Sequence, residues 1–141
     1  MKLDDAQTIL ATALATARAR SFKPLAVAVL DARGSLRALA AEDGTSLKRA
    51  EVAIGKAHGA LAMGVGSRAL ARMATERPHF VAAVTHAVGG ALIPVPGGVL
   101  IKDAAGALVG AVGVSGDTSD NDEIAALAGI EAVGCKGDTG A

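Results

Sequence analysis

The chain has 141 residues, enough for one domain around one core, and its 14 Lys plus Arg balance 14 Asp plus Glu, so neither nucleic acid nor an anionic membrane surface is expected as a partner. Two Phe, no Trp and no Tyr exclude single-stranded nucleic-acid binding by base stacking. Apolar residues reach 51%, many of them Ala, whose small side chains bury little area each, so a homo-oligomer that buries further surface between subunits is expected.

The first element is a helix over Leu3 to Arg20, with Ala6, Ile9, Leu10, Ala13, Leu14 and Ala17 at three-four spacing and Asp4 or Asp5 suited to its cap. Pro24 closes the connection to a strand, Leu25 to Leu30. Asp31-Ala-Arg-Gly34 then turns into a returning strand, Ser35 to Ala40. Thr45 or Ser46 caps a second helix running to Met63, broken by Gly64 and Gly66. Ser67 caps a third, Arg68 to Arg77, which Pro78 ends. His79 to Val88 reads as a further short helix, and Ala91 to Pro96 as extended chain because each proline disfavours helix before it.

A second hairpin follows, Gly97 to Lys102 and Ala107 to Gly116 around the turn Asp103-Ala-Ala-Gly106, echoing Asp31-Ala-Arg-Gly34. Gly110 and Gly113 weaken a strand, which implies that a ligand or another element approaches the bare backbone. Ser119, with Asp122 and Glu123 in the first turn, opens the last helix, and the tail from Lys136 to Ala141 is expected to fray. The order α-β-β-α-α-α-β-β-β-α, with consecutive hairpins, implies an α+β domain spanning 1–141 with helices on an antiparallel sheet. Asp4 and Asp5 stand where a signal peptide would be basic. The apolar runs stop well short of membrane-spanning length, and a cytoplasmic protein is expected.

Few residues carry chemistry. His58, His79 and His86 lack paired ligand spacing and Cys135 stands alone, so no metal site is expected. Asp117, Asp120, Asp122 and Glu123 read as partners of a helix dipole rather than as a cation loop. His58 is the most informative position: Gly59 beside it costs about 1 kcal/mol against alanine in a helix, which implies close packing or a ligand. Lys56 and His58 form a candidate acid/base pair, although residues two apart on a helix face different ways. The Ser115-Gly116 turn, ahead of a helix N-terminus, is suited to hold a carboxylate through its N–H groups.

Three segments in order resemble the GlcG/HbpS-like family, the haem-degrading domain that also forms the C-terminal part of PduO-type proteins. They are Ala26-Val-Ala-Val-Leu-Asp31 with Gly34, Leu36 and Asp43-Gly44; Lys56-Ala57 to Gly64; and Gly97-Gly98-Val-Leu-Ile with Gly106 and Val109 to Gly116. The resemblance implies a profilin-like five-stranded antiparallel sheet flanked by helices, homo-oligomers, and haem as a possible cofactor. It also implies a small-molecule pocket between the sheet, the Lys56-to-Gly64 helix and the Gly113-to-Asp117 loop. The sequence departs from the family pattern where His58-Gly59 replaces an aromatic-Thr pair. It departs again in a first helix without histidine, so any haem ligand is expected from His58, His79 or His86.

Two readings follow. The first is a small-molecule-binding protein, for haem or a small organic acid, with Gly59, Gly113, Ser115, Gly116 and Asp117 at the ligand. The second is an enzyme of lyase, isomerase or hydrolase type acting on a small carboxylate or carbonyl compound. In it His58 is general acid/base with Lys56, and the Gly116 turn shares one cavity with them.

Overall fold

Strand residues alternate between two faces, and here both faces are covered. In the computed structural model, which describes residues 1–141, the elements run α1 (Leu3–Ala19), β1 (Ala26–Asp31), β2 (Leu36–Ala41), α2 (Arg49–Met63), α3 (Ser67–Glu76), α4 (Pro78–Ala87), β3 (Gly98–Lys102), β4 (Leu108–Ser115), α5 (Ser119–Ala132) and β5 (Lys136–Asp138). The sheet has the order β2-β1-β4-β3-β5 with every pairing antiparallel. This is an α+β, profilin-like architecture.

The two faces differ in the size of their side chains. Val27, Val29, Val99, Ile101, Val112 and Val114 point to one face, where they meet Ala6, Ile9 and Ala13 of α1 and Ala125, Ala126 and Ile130 of α5. Ala26, Ala28, Leu30, Leu100 and Ala111 point to the other, against Ala53, Ala57 and Ala60 of α2. The small residues on this second face let α2 approach closely. Gly98 and Gly113 face each other across β3 and β4. A Cβ on Gly113 would lie 1.8 Å from the Ala53 carbonyl oxygen, and one on Gly98 2.3 Å from that of Lys56. The glycine that weakens β4 as a strand is therefore required by the helix lying on it.

Several boundaries differ from the sequence reading. The second helix starts at Arg49, past the expected Thr45 or Ser46 cap. Thr118, not Ser119, caps α5, its Oγ1 accepting from the Asn121 N–H at 3.2 Å. His79 to Val88 is helical as expected, with Pro78 in its first turn. Ala91 to Pro96 is not a strand: it crosses the outer flank of α2, with Leu92 against Gly59 and Ile93 against Gly55.

The fifth strand comes instead from the tail expected to fray. Lys136 pairs with Lys102, Gly137 with Ile101 and Asp138 with Leu100. A 2.6 Å ion pair from Lys102 Nζ to Asp138 fastens the edge. Beyond it the Thr139 carbonyl accepts from the Arg68 N–H at 3.2 Å and that of Gly140 from Arg72 at 2.7 Å. Lys-Gly-Asp has no apolar pattern to announce a strand, and only the unpaired edge of β3 makes it one. No helix is long and apolar enough to cross a membrane.

The Gly113 contact gives a direct test. Gly113→Ala should lower stability by about 3 kcal/mol or more in urea denaturation, because overpacking here meets backbone rather than a movable side chain. An unchanged midpoint would mean that α2 does not lie on β4 at this point.

Candidate functional site

Helix α2 carries both residues singled out for chemistry, and the fold sends them in different directions. Lys56 is 2% exposed. Its Nζ donates to the Val114 carbonyl at 2.8 Å and to Asp122 Oδ2 at 3.0 Å. The other Asp122 oxygen accepts from the Asp117 N–H at 3.0 Å. Burial pushes the Lys56 ammonium down and the Asp122 carboxyl up, and their mutual attraction opposes both shifts. Lys56 thus clamps α2, β4 and α5 together and, contrary to expectation, is not free to act with His58.

The turn expected to hold a ligand carboxylate is filled by the chain's own groups. Ser115 is buried, and its Oγ accepts from Arg49 Nη1 at 3.2 Å. A Cβ on Gly116 would lie 2.1 Å from the Pro24 carbonyl oxygen. The Asp117 carboxylate accepts from the N–H groups of Lys23 at 2.6 Å and Thr118 at 2.7 Å and from Asn121 Nδ2 at 2.8 Å. These bonds, that of Lys23 first, hold its carboxyl below the usual range. Asp117 and Asp122 are therefore the anions at the positive end of α5. Gly113, Ser115, Gly116 and Asp117 line none of the main surface depressions of the subunit.

His58 stands elsewhere. Its Nδ1 is 2.8 Å from the Ala91 carbonyl oxygen. A carbonyl only accepts, so Nδ1 carries the hydrogen and, in the neutral ring, the Nε2 lone pair is free. Nε2 has no protein partner, and no buried side-chain nitrogen or oxygen lacks one, so Nε2 reaches solvent. The ring lies against the β1–β2 turn, its Cδ2 3.5 Å from where Gly34 would carry a Cβ. Ala26 pairs with Ser115 and Asp31 with Gly110, so the Gly34 turn and the Gly116 turn lie at opposite ends of β1. Five residues of strand separate those ends by roughly 17 Å. One cavity shared by His58 and Gly116 is not formed within a subunit. Gly59 has a packing role: a Cβ there would come within 3.0 Å of the Leu92 Cα.

The place where His58 sits adjoins an open groove that the sequence reading missed. Glu51, Val52, Ile54 and Gly55 of α2 and Gly90, Ala91 and Ile93 of the crossing segment line a largely apolar cavity of about 380 Å³. Positions 51, 55 and 58 of α2 follow the spacing of one helical stripe, with His58 lying about one turn beyond the last α2 residue that lines the groove. That stripe was legible; the wall opposite it was hidden when Ala91 to Pro96 was read as a strand. A larger groove of about 790 Å³ runs along β5 past Lys102, Lys136, Asp138 and Cys135, with polar and apolar surface in about equal share. No three His, Cys, Asp or Glu side chains gather to hold a metal ion. His58 Nε2 is open to solvent, and His58 is not among the residues that line the groove.

The buried ion pair yields two expectations. Lys56→Met or Asp122→Asn alone should cost about 3–5 kcal/mol of stability, and the double variant should recover most of that loss. In Lys56→Met the buried carboxyl, already pushed up, binds its proton more tightly in the folded chain than in the unfolded one. Folding stability of that variant should therefore fall as pH rises above about 4, the ordinary carboxylate range. Denaturant titrations of the four proteins across pH check both points, and additive losses would refute the coupling.

Chains of known structure share this fold. PduOC in complex with haem superposes with a TM-score of 0.84 at 23% identity, covering 96% of each chain. HbpS superposes at 0.79 with 26% identity, covering 93% of this chain and 88% of that one. The Klebsiella pneumoniae protein ORFY does so at 0.82 with 20% identity, covering 95% and 90%. No curated protein matches the chain in sequence. The sequence model of the family described as haem degrading protein HbpS-like matches residues 1–131, and with it the profilin-like sheet and the ordered motifs agree: the chain belongs to the HbpS-like family.

Proposed function

We propose that this protein binds a small, largely apolar molecule in the groove between α2 and the Gly90-to-Ile93 segment, with haem as the ligand. The observation that carries the reading is the groove itself, an open and largely apolar wall of Val52, Ile54, Ala91 and Ile93. Family membership and the haem complex of a chain with the same fold support haem over other apolar ligands. The groove offers an apolar face to a porphyrin ring, and no histidine is among the residues that line it. Bound haem would supply an iron centre able to change oxidation state; the chain's own part is to desolvate one ring face. The enzyme reading loses ground, because Lys56 is committed to Asp122 and leaves His58 without its partner.

We also propose a homo-oligomer in an aqueous compartment. Edge strand β2 leaves Leu36 49% and Leu39 41% exposed, and Leu47 in the following loop is 89% exposed. Such residues gain by being covered by a second copy. Sedimentation at micromolar concentration should show a dimer or larger species; a monomer would overturn this proposal.

Ferric haem titrated into the protein and followed by absorbance should saturate at one per chain. Val52→Asp, which adds a second carboxylate beside Glu51 on the groove wall, should weaken binding roughly 10-fold or more, about 1.4 kcal/mol, with an unchanged melting temperature. Absence of saturable binding to the unaltered protein would refute the haem reading.

A further inference from the structure

Resting on the haem and homo-oligomer readings, we infer that the apolar groove and the surface that meets a second copy are one surface, on which Leu47 of each copy closes the groove of the other. The register of the sheet places the exposed leucines on the groove's side of the subunit. Leu39 pairs with Ala28 and Leu36 with Leu30. Residues directly opposite on antiparallel strands share a face, and Ala28 and Leu30 lie on the face that α2 covers. Helix α2 lies over β4, β1 and β3 and reaches little of β2, so Leu36 and Leu39 stay bare beside it.

Ile54 joins that bare edge to the groove. It packs on Ala26, Ala28 and Ala53, and it also lines the groove. His58, one turn further along the same stripe, rests against Gly34 in the β1–β2 turn, so this flank of α2 faces the β1–β2 hairpin. The apolar surface thus runs from Leu36 and Leu39 across Ile54 to Ile93. Leu47, the most exposed of the large apolar side chains, stands at the end where α2 begins.

The charges on the first turn of α2 fit a second copy of the same chain. Lys48 and Glu51 are both exposed and lie 3.7 Å apart. Two α2 helices laid antiparallel about a two-fold axis between positions 49 and 50 set Lys48 of each copy opposite Glu51 of the other. The same register sets Leu47 of each copy opposite Val52 on the groove wall of the other. Exposed ion pairs add little affinity, and here they fix the register; the apolar area between the copies supplies the attraction. Glu51 is the one charged residue that lines the groove, and this contact gives it the ammonium of the second copy besides its own. By itself the open groove desolvates only one face of a flat ligand. Leu47 of the second copy brings apolar surface to the open side, so ligand binding and association strengthen one another.

Sedimentation velocity tests the contact on the full-length chain and on Leu47→Asp, Lys48→Glu, Glu51→Lys and the double variant Lys48→Glu with Glu51→Lys. Leu47→Asp and each single reversal should sediment as a smaller species than the unaltered protein. The double reversal should regain the original size, because opposite charges meet again. Mild oxidation tests the groove: in a Cys135→Ser background, Leu47→Cys chains mixed with Val52→Cys chains should form a disulfide between copies, and neither should do so alone. Ferric haem should bind Leu47→Asp at least 10-fold more weakly than the unaltered protein; equal affinity would show that the second copy does not complete the site. If Leu47→Asp and the single reversals keep the original size, or the double reversal does not regain it, the two-fold contact is refuted. If the mixed cysteine chains do not crosslink, Leu47 does not reach the groove and the inference fails even where the protein associates. If the unaltered protein associates and the cysteine chains crosslink but no haem binds, the haem reading fails while the shared surface stands.

Discussion

At Gly98 and Gly113 the backbone of α2 rests on the backbone of the sheet with no side chain between them. Much of the rest depends on that contact. It places Lys56 over β4, within reach of the Val114 carbonyl and of Asp122 on α5, which packs on the other face of the sheet. It turns the opposite flank of α2 outward, where His58 and the Gly90-to-Ile93 segment meet. One close approach therefore makes Lys56 internal and leaves His58 on the outer flank.

The Lys56–Asp122 pair is an unusual choice for a core so rich in alanine. Removing two charges from water costs several kcal/mol each, and the attraction between them offsets this only when the remaining donors and acceptors are also satisfied. Here they are: Lys56 has the Val114 carbonyl as well, and Asp122 has the Asp117 N–H. Apolar side chains of similar volume would fill the space at least as well. What the pair adds is direction, since a lysine in this register meets its partner only when α2, β4 and the start of α5 are correctly placed together.

The fold was largely legible in the sequence because its signals are local. The three-four spacing of Ala6, Ile9, Ala13 and Ala17, and the paired Asp-Ala-x-Gly turns, each decide their own neighbourhood. Even the bare backbone at Gly113 was readable as the approach of something, though not as the approach of α2. The site was less legible because it is made of non-local choices. Nothing in Lys56 shows that Asp122 will neutralise it, and nothing in Ser115-Gly116 shows that Asp117 and Asp122 will fill the helix end that looks ready for a ligand. His58 was visible as an oddity beside Gly59; that its Nδ1 is taken by Ala91 depends on a segment with no regular structure, and β5 depends on an edge left vacant elsewhere.

The sheet order has a consequence for synthesis. β1 lies between β2 and β4, and Ala26 finds Ser115 as its partner only after most of the chain has been made. The β1–β2 hairpin therefore leaves the ribosome with the inner edge of a strand buried on both faces still unpaired. That edge waits through the synthesis of α2, α3, α4 and β3 before β4 arrives. Pairings this distant along the chain are slow to form, and an open apolar edge invites association with other nascent chains. The growing polypeptide is most vulnerable during that interval, and the polar Asp31-Ala-Arg-Gly34 turn, with Arg37 beside it, supplies the nearest charges to discourage such pairing.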